Sequence, residues 1–211
     1  MITVCVFARP PVPGQVKTRL AQTIGDHRAA ALAAAFLVDT LALVASLPWA
    51  RPVIASTGPM PDGLVPGATV WPQGDGTLDE RLERIFRRAL AEVPTGAIAL
   101  GADSPGLPRG LLDDAHARLR AGDAVLGPAD DGGFYLLGLR RCPSGLLAGV
   151  PWSSAETCAA TERRLVQHTM TVARLLPWFD VDHVEDLTRL RGILAADRSR
   201  APATAALLEA T

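Results

Sequence analysis

Short unbroken apolar runs alternate along the chain with longer segments whose apolar residues recur at helical spacing. The runs Ile2–Phe7, Pro52–Thr57, Ala68–Trp71, Ala97–Leu100 and Ala124–Leu126 read as strands, most of them of the fully buried kind found in parallel sheets. Between them, Arg28–Ser46 is rich in Ala and Leu, can be capped by Asp26 and stops before Pro48. Thr77-Leu78-Asp79-Glu80 is a capping box, and Leu82, Ile85, Phe86, Ala89 and Leu90 follow it at helical spacing, with arginines on the other face and Pro94 as the stop. A further helix is predicted over Arg109–Arg120. The order strand, helix, strand, strand, helix, strand, helix, strand predicts an α/β fold, a mainly parallel sheet flanked by helices.

The second half breaks the alternation. Leu126 and Phe134 are too close for a crossover helix, so Phe134–Leu139 is expected as an antiparallel or edge addition. Ser153-Ser154-Ala155-Glu156 reads as a capping box opening a helix to about His168, and Met170–Leu176 as a strand. Asp182-His183-Val184-Glu185 reads as another box before a helix to about Ala196, and Pro202–Ala210 is weakly helical. With no internal repeat and no separating linker, residues 1–211 are expected to form one domain.

Charge and composition narrow the function classes. The 21 Lys+Arg nearly cancel the 22 Asp+Glu, which removes the electrostatic footprint of a nucleic-acid binder, and aromatic residues are too scarce for a stacking platform. A small anionic ligand needs only a local patch. The three cysteines, Cys5, Cys142 and Cys158, form no CxxC pair, so neither a disulfide framework nor a zinc knuckle is expected. No signal peptide is visible, and the Ala-rich run Ala29–Ala45, with Arg28 and Asp39, is too interrupted for a membrane span; a cytoplasmic protein is expected.

Ligands of such sheets bind beyond the carboxyl ends of the strands, where three loops of this chain lie. The first, Ala8–Leu20, is stiffened by Pro10, Pro11 and Pro13 and presents Lys17, Arg19 and the N–H groups near Gly14, which suit phosphates. Val16 stands where a Walker A loop needs glycine, which disfavours a P-loop ATPase or kinase. The second is the glycine-rich Pro72–Gly76. In the third, Asp103 ends an apolar strand; a carboxylate there can hold Mg²⁺ or Mn²⁺, or simply cap the next turn. Asp182 has the same two readings, and Asp180 would share its face of a strand. Asp130-Asp131-Gly132-Gly133 is a turn whose glycines let backbone approach a ligand; either acid can contact a substrate hydroxyl or act as a base, or the four form a plain acidic turn. The four histidines lack metal-ligand spacing, and neither GxSxG nor a strand-following GxGxxG is present.

FARPPVPGQVKTRL (Phe7–Leu20), QGDGTLDERL (Gln73–Leu82), GADSPGLP (Gly101–Pro108), GPADDGGFYLLGL (Gly127–Leu139), Trp152-Ser153-Ser154 and FDVDHVEDL (Phe179–Leu187) span nearly the whole chain. Together they resemble the bacterial selenodomain-associated transferase 1 family, a glycosyltransferase-A-like family of unknown function. That family is related to nucleotidyltransferases such as molybdenum cofactor guanylyltransferase. Arg9 replaces a lysine common in the family, and His183-Val184 stands where relatives often have Thr-Pro. The resemblance implies a nucleotide-diphospho-sugar transferase fold and a metal-dependent transferase with a nucleotide or nucleotide-sugar donor and a small-molecule acceptor. Arg9, Gly14, Lys17, Arg19, Gln73 and Gly74 would hold the nucleotide and its phosphates, and Asp103 and Asp182 the metal. Asp130 and Asp131 would be catalytic, with Gly132 and Gly133 against the substrate. Glycosyl transfer, nucleotidyl transfer with pyrophosphate release, and non-catalytic nucleotide binding stay open.

Overall fold

The computed structural model of the protein describes residues 1–209. Its strands are β1 (Ile2–Ala8), β2 (Ala50–Ser56), β3 (Val70–Pro72), β4 (Ala97–Gly101), β5 (Ala124–Pro128), β6 (Phe134–Leu139) and β7 (Val172–Arg174). They form one sheet in the order β3-β2-β1-β4-β6-β5-β7. The first four pair in parallel. β6 lies antiparallel between β4 and β5, and β5 runs parallel to β7. The antiparallel addition is therefore interior to the sheet rather than at its edge. The helices are α1 (Thr18–Ile24), α2 (Asp26–Ala45), α3 (Leu78–Glu92), α4 (Arg109–Ala121), α5 (Thr157–Gln167), α6 (Val184–Ala196) and α7 (Pro202–Glu209).

Strand periodicity sorts the core into layers. Val4 and Val6 of β1 face Leu37 and Val44 of α2 and Leu112 and Leu119 of α4. Cys5, pointing the other way, joins Leu82, Ile85 and Phe86 of α3 and Leu165 of α5. A third cluster ties Leu20 of α1 and Phe36 of α2 to Phe179, Val181, Leu187 and Leu190 at the start of α6. This last cluster fixes the segment 179–182 beside the end of the first loop.

Several boundaries differ from the sequence reading. A separate helix, α1, follows the first loop, and Asp26 is the first residue of α2 behind Gly25 rather than its cap. The 153–156 box does not open a helix: the Ser154 hydroxyl donates to Pro151 O and accepts from Glu156 N in a local turn, and α5 starts at Thr157. The predicted strand over 170–176 shortens to Val172–Arg174. The helical tail extends over Pro202–Glu209, with Ala210 outside the described residues.

By length and composition alone α2 is long and apolar enough to cross a membrane, with a mean hydropathy of 1.8, a test that packed core helices also pass. In the fold it is packed: 56% of the apolar window is buried, and Asp39 on it is 4% exposed.

Candidate functional site

The site is built around an unusual backbone at Lys17. The first loop turns through the bonds Val12 N to Pro10 O and Gln15 N to Val12 O. Gly14 takes a φ of 77°, and Lys17 enters α1 at φ 48° and ψ 43°. A left-handed lysine costs on the order of 1 kcal/mol, so tertiary contacts must hold it. The contacts are two carboxylates. Lys17 Nζ lies 2.9 Å from Asp103 Oδ1 and 3.0 Å from Asp182 Oδ1, with the lysine side chain only 4% exposed. Arg19, largely in solvent, reaches to 3.6 Å from Asp182 Oδ2.

Each acid is positioned by its own strand end. Asp103 follows β4, and its carbonyl accepts a 2.9 Å bond from Val181 N, which stitches the two acidic segments together. Asp182 is not the cap of α6. Asp186 Oδ2 accepts from the backbone N–H of Asp182 and of His183, 3.0 and 2.8 Å away, which leaves the Asp182 carboxylate free to face Lys17. Burial opposes the charge on Lys17, but Asp103 and Asp182 outweigh it and hold the ammonium above its ordinary range. Burial alone would push Asp182 up; the Lys17 ammonium, with Arg19 behind it, holds it below the usual carboxylate range.

Among the described residues no group of three or more His, Cys, Asp and Glu side chains is arranged for a metal ion. The protein offers two carboxylates that already converge on one positive charge. That donor set fits a hard divalent cation whose remaining ligands come from water and substrate phosphates.

A third acid lies behind this pair. Asp180 accepts a hydrogen bond from the Ser104 hydroxyl. Burial pushes its carboxyl up to about 6; the Ser104 bond and the Lys17 charge oppose this, and Asp103 and Asp131 reinforce it.

Beside the charged cluster is a cavity of about 350 Å³ lined by Arg9, Pro10, Gln15, Thr57 and Arg81. Gln73 and Gly74 shape its neighbourhood without lining it. Gln73 is 3% exposed, its Nε2 donates to Ala55 O at 2.8 Å and its Oε1 accepts from Arg81 at 3.2 Å. Arg84 donates to the carbonyls of Gln73 and Asp75 and lies so close to Gly74, whose φ is 76°, that a Cβ there would meet Nη1 at 2.7 Å.

The 130–133 segment is a turn with its acids already partnered. Asp130 pairs with Arg189 at 2.6 Å, and Asp131 Oδ1 accepts from Gly133 N at 2.8 Å. Gly132 has a φ of 89°, and a Cβ there would fall 2.2 Å from Ala155 O, so the turn is pressed against the segment before α5. Cys158 N donates to Gly132 O at 2.8 Å.

The fold thus joins Lys17, Arg19, Asp103 and Asp182 directly and leaves Arg9 on the cavity wall. Gln15, Thr57, Arg81 and Ser104 were not singled out from the sequence. Arg81 reads there as one more arginine on the exposed face of α3; its place in the first turn after a glycine-rich loop was the usable signal.

The profile of a family described as "Uncharacterized protein conserved in bacteria (DUF2064)" matches residues 19–154. No match is found among the curated proteins. A crystal structure from Desulfovibrio desulfuricans G20, of a protein provisionally named a nucleotide-diphospho-sugar transferase, is 31% identical, with a TM-score of 0.90 over 99% of this chain and 94% of that one. CMP:2-keto-3-deoxy-manno-octonic acid synthetase, solved with CTP, superposes with a TM-score of 0.59 at 12% identity, over 93% of this chain and 100% of that one. The 2-C-methyl-D-erythritol 4-phosphate cytidylyltransferase of Thermus thermophilus gives 0.54 at 20% identity, over 93% and 98%. The latter two are likenesses of fold.

Proposed function

The chain belongs to the DUF2064 family of bacterial proteins, and from that footing we propose that residues 1–211 act as one unit, a metal-dependent transferase using a nucleotide-activated donor. The resemblance to the selenodomain-associated transferase 1 family and the 31% identical relative provisionally named a nucleotide-diphospho-sugar transferase both support a donor of that kind. The observation that carries the reading is the Lys17 ammonium held between Asp103 and Asp182 at the carboxyl end of the sheet. It supports a site that handles phosphate charge on one side and a cation on the other.

In this reading Lys17 and Arg19 bind the donor phosphates and offset charge that develops on the departing group. Asp103 and Asp182 would hold Mg²⁺ or Mn²⁺, which when bound polarises phosphoryl oxygens and neutralises the leaving diphosphate or pyrophosphate. Arg9 and Gly14 bind the nucleotide portion from the same loop, with Gln73 and Gly74 shaping the neighbouring wall. The Asp130–Gly133 turn faces the acceptor. One of its two acids takes the proton of the attacking group once its present partner, Arg189 or the Gly133 N–H, is released. Such donors are cytoplasmic metabolites, which supports a cytoplasmic setting.

A second reading, nucleotidyl transfer with release of pyrophosphate, is favoured by the density of cations around the first loop, which suits a triphosphate. Pyrophosphate release from nucleoside triphosphates, against release of nucleoside diphosphate from nucleotide sugars, separates the two. The shared premise is tested by thermal shift with nucleotides and nucleotide sugars, with and without Mn²⁺. Wild type is expected to be stabilised by the pair together, and Asp103→Ala to lose the metal-dependent part. An Asp103→Ala protein with the full Mn²⁺ response would remove the metal assignment. Absence of any nucleotide response in wild type would leave a protein of another class.

A further inference from the structure

The cavity beside the charged cluster has a chemical character of its own, and its assignment rests on the nucleotide reading above. Arg9, Gln15, Thr57 and Arg81 are its polar walls, and no carboxylate lines it. Its only charged groups are therefore guanidiniums, which donate hydrogen bonds and accept none. The side chains of Arg9, Gln15 and Thr57 have no hydrogen bond or ion pair among the described residues.

Arg81 is held differently. Its Nη1 donates to Gln73 Oε1 at 3.2 Å and its Nε lies 3.4 Å from Thr77 O. Gln73 is itself fixed, 3% exposed with Nε2 on the β2 carbonyl of Ala55. A buried amide thus sets the plane of a half-buried guanidinium and leaves one Nη1 hydrogen and the Nη2 group unengaged. An exposed arginine needs no such brace. A rigid fork is useful where a planar acceptor edge must be read.

The four bases differ in what they offer that fork. Guanine presents O6 and N7, two acceptors side by side, and a pyrimidine with a 4-keto group presents O4. Adenine keeps N7 but carries an amino group in place of O6, and cytosine carries one in place of O4; each amino group opposes a guanidinium donor to donor. The volume of about 350 Å³ is in the range of small-ligand sites and exceeds what a lone phosphate needs. We infer that this cavity is the nucleobase subsite and selects keto-edged bases, guanine above all, with Arg81 reading the base edge and Gln73 acting as its positioning residue.

Titration calorimetry on the full chain with GTP, ITP, UTP, ATP and CTP at one salt and Mg²⁺ concentration tests this. GTP and ITP, which share O6 and N7, should bind about tenfold or more tighter than ATP, and UTP tighter than CTP. Arg81→Lys keeps the charge and removes the fork. It should collapse the GTP-to-ATP ratio toward one while ATP affinity changes little. Gln73→Leu should lower the same ratio with Arg81 still present. If it does not fold, the half-buried Arg81→Lys exchange carries the test. Equal affinity for GTP and ATP in wild type overturns the inference, as does a uniform loss for all five nucleotides in Arg81→Lys, which marks a phosphate site. Failure of every nucleotide to bind wild type overturns the nucleotide reading itself.

Discussion

Asp39 and Asp180 are both acids withdrawn from water, and they are treated in opposite ways. Asp39, on α2, accepts from Ala203 N at 2.9 Å, Thr204 N at 2.8 Å and the Thr204 hydroxyl at 2.6 Å. It satisfies the orphan donors at the start of α7 from another helix. Asp180 has the single hydroxyl of Ser104 as hydrogen-bond partner, and around it the Lys17 charge is set against those of Asp103 and Asp131. The first carboxylate is saturated with donors and serves the fold. The second is underpartnered beside the proposed site, where charge is held at a cost to stability.

Removing the saturated acid should have the largest effect. Asp39→Ala leaves three donors unmet in the interior and should lower stability by about 3–5 kcal/mol. Urea denaturation reads the loss, and hydrogen exchange should show α7 unprotected first. A loss below about 1 kcal/mol would mean that α7 is held by its apolar contacts with α2 alone.

Asp180→Asn should act in the other direction. With a folded value of about 6 against an ordinary 3.8, Asp180 stays protonated in the native state between about pH 4 and 6, where the unfolded chain ionises. Wild-type stability therefore falls as pH rises from about 4 to 6. The amide removes that fall, so the variant should be more stable at pH 7 by up to about 3 kcal/mol and should lose this advantage below pH 4. A variant destabilised at pH 7 would show that Asp180 is better partnered than its surroundings indicate.

The smallest of the three effects belongs to Lys17. Lys17→Met should cost on the order of 1 kcal/mol at neutral pH, because both carboxylates facing Lys17 are half exposed and screened by water. Asp182 is depressed, so its share of the pairing is present above the ordinary carboxylate range and lost as pH falls through its lower folded value. Lys17 is raised, so its share persists through the ordinary lysine range and is lost only as pH rises through the higher folded value. The difference between variant and wild type should thus be flat across neutral pH and shrink at both extremes. The same exchange should weaken nucleotide binding far more than it weakens the fold.

Much of the architecture was legible in the chain itself. The buried runs gave the strands, and the short interval between Leu126 and Phe134 required β6 to be antiparallel. The Thr77 box is present as read, with Glu80 accepting from Thr77 N at 2.9 Å. Other local patterns misled. α1 has no side-chain cap, since it is entered through a left-handed lysine held from outside. The box assigned to Asp182 shifted by one residue because Asp186, rather than Glu185, turns back to the start of α6. Within the candidate site, residue types were readable and partners were not. Lys17 read as one of two phosphate-facing cations, and only the fold shows it buried between two acids.

What the sequence determined by itself is periodicity and chemistry: which segments bury a face, which loops lie at strand ends, and which carry cations or acids. These are local properties, fixed by side-chain spacing and backbone preference. Tertiary structure alone decided which acid is saturated and which is exposed to like charge, that Lys17 closes on Asp103 and Asp182, and that Gln73 braces Arg81. Those outcomes depend on distances between strand ends remote in the chain, and burial there sets both the strength and the sign of each electrostatic effect.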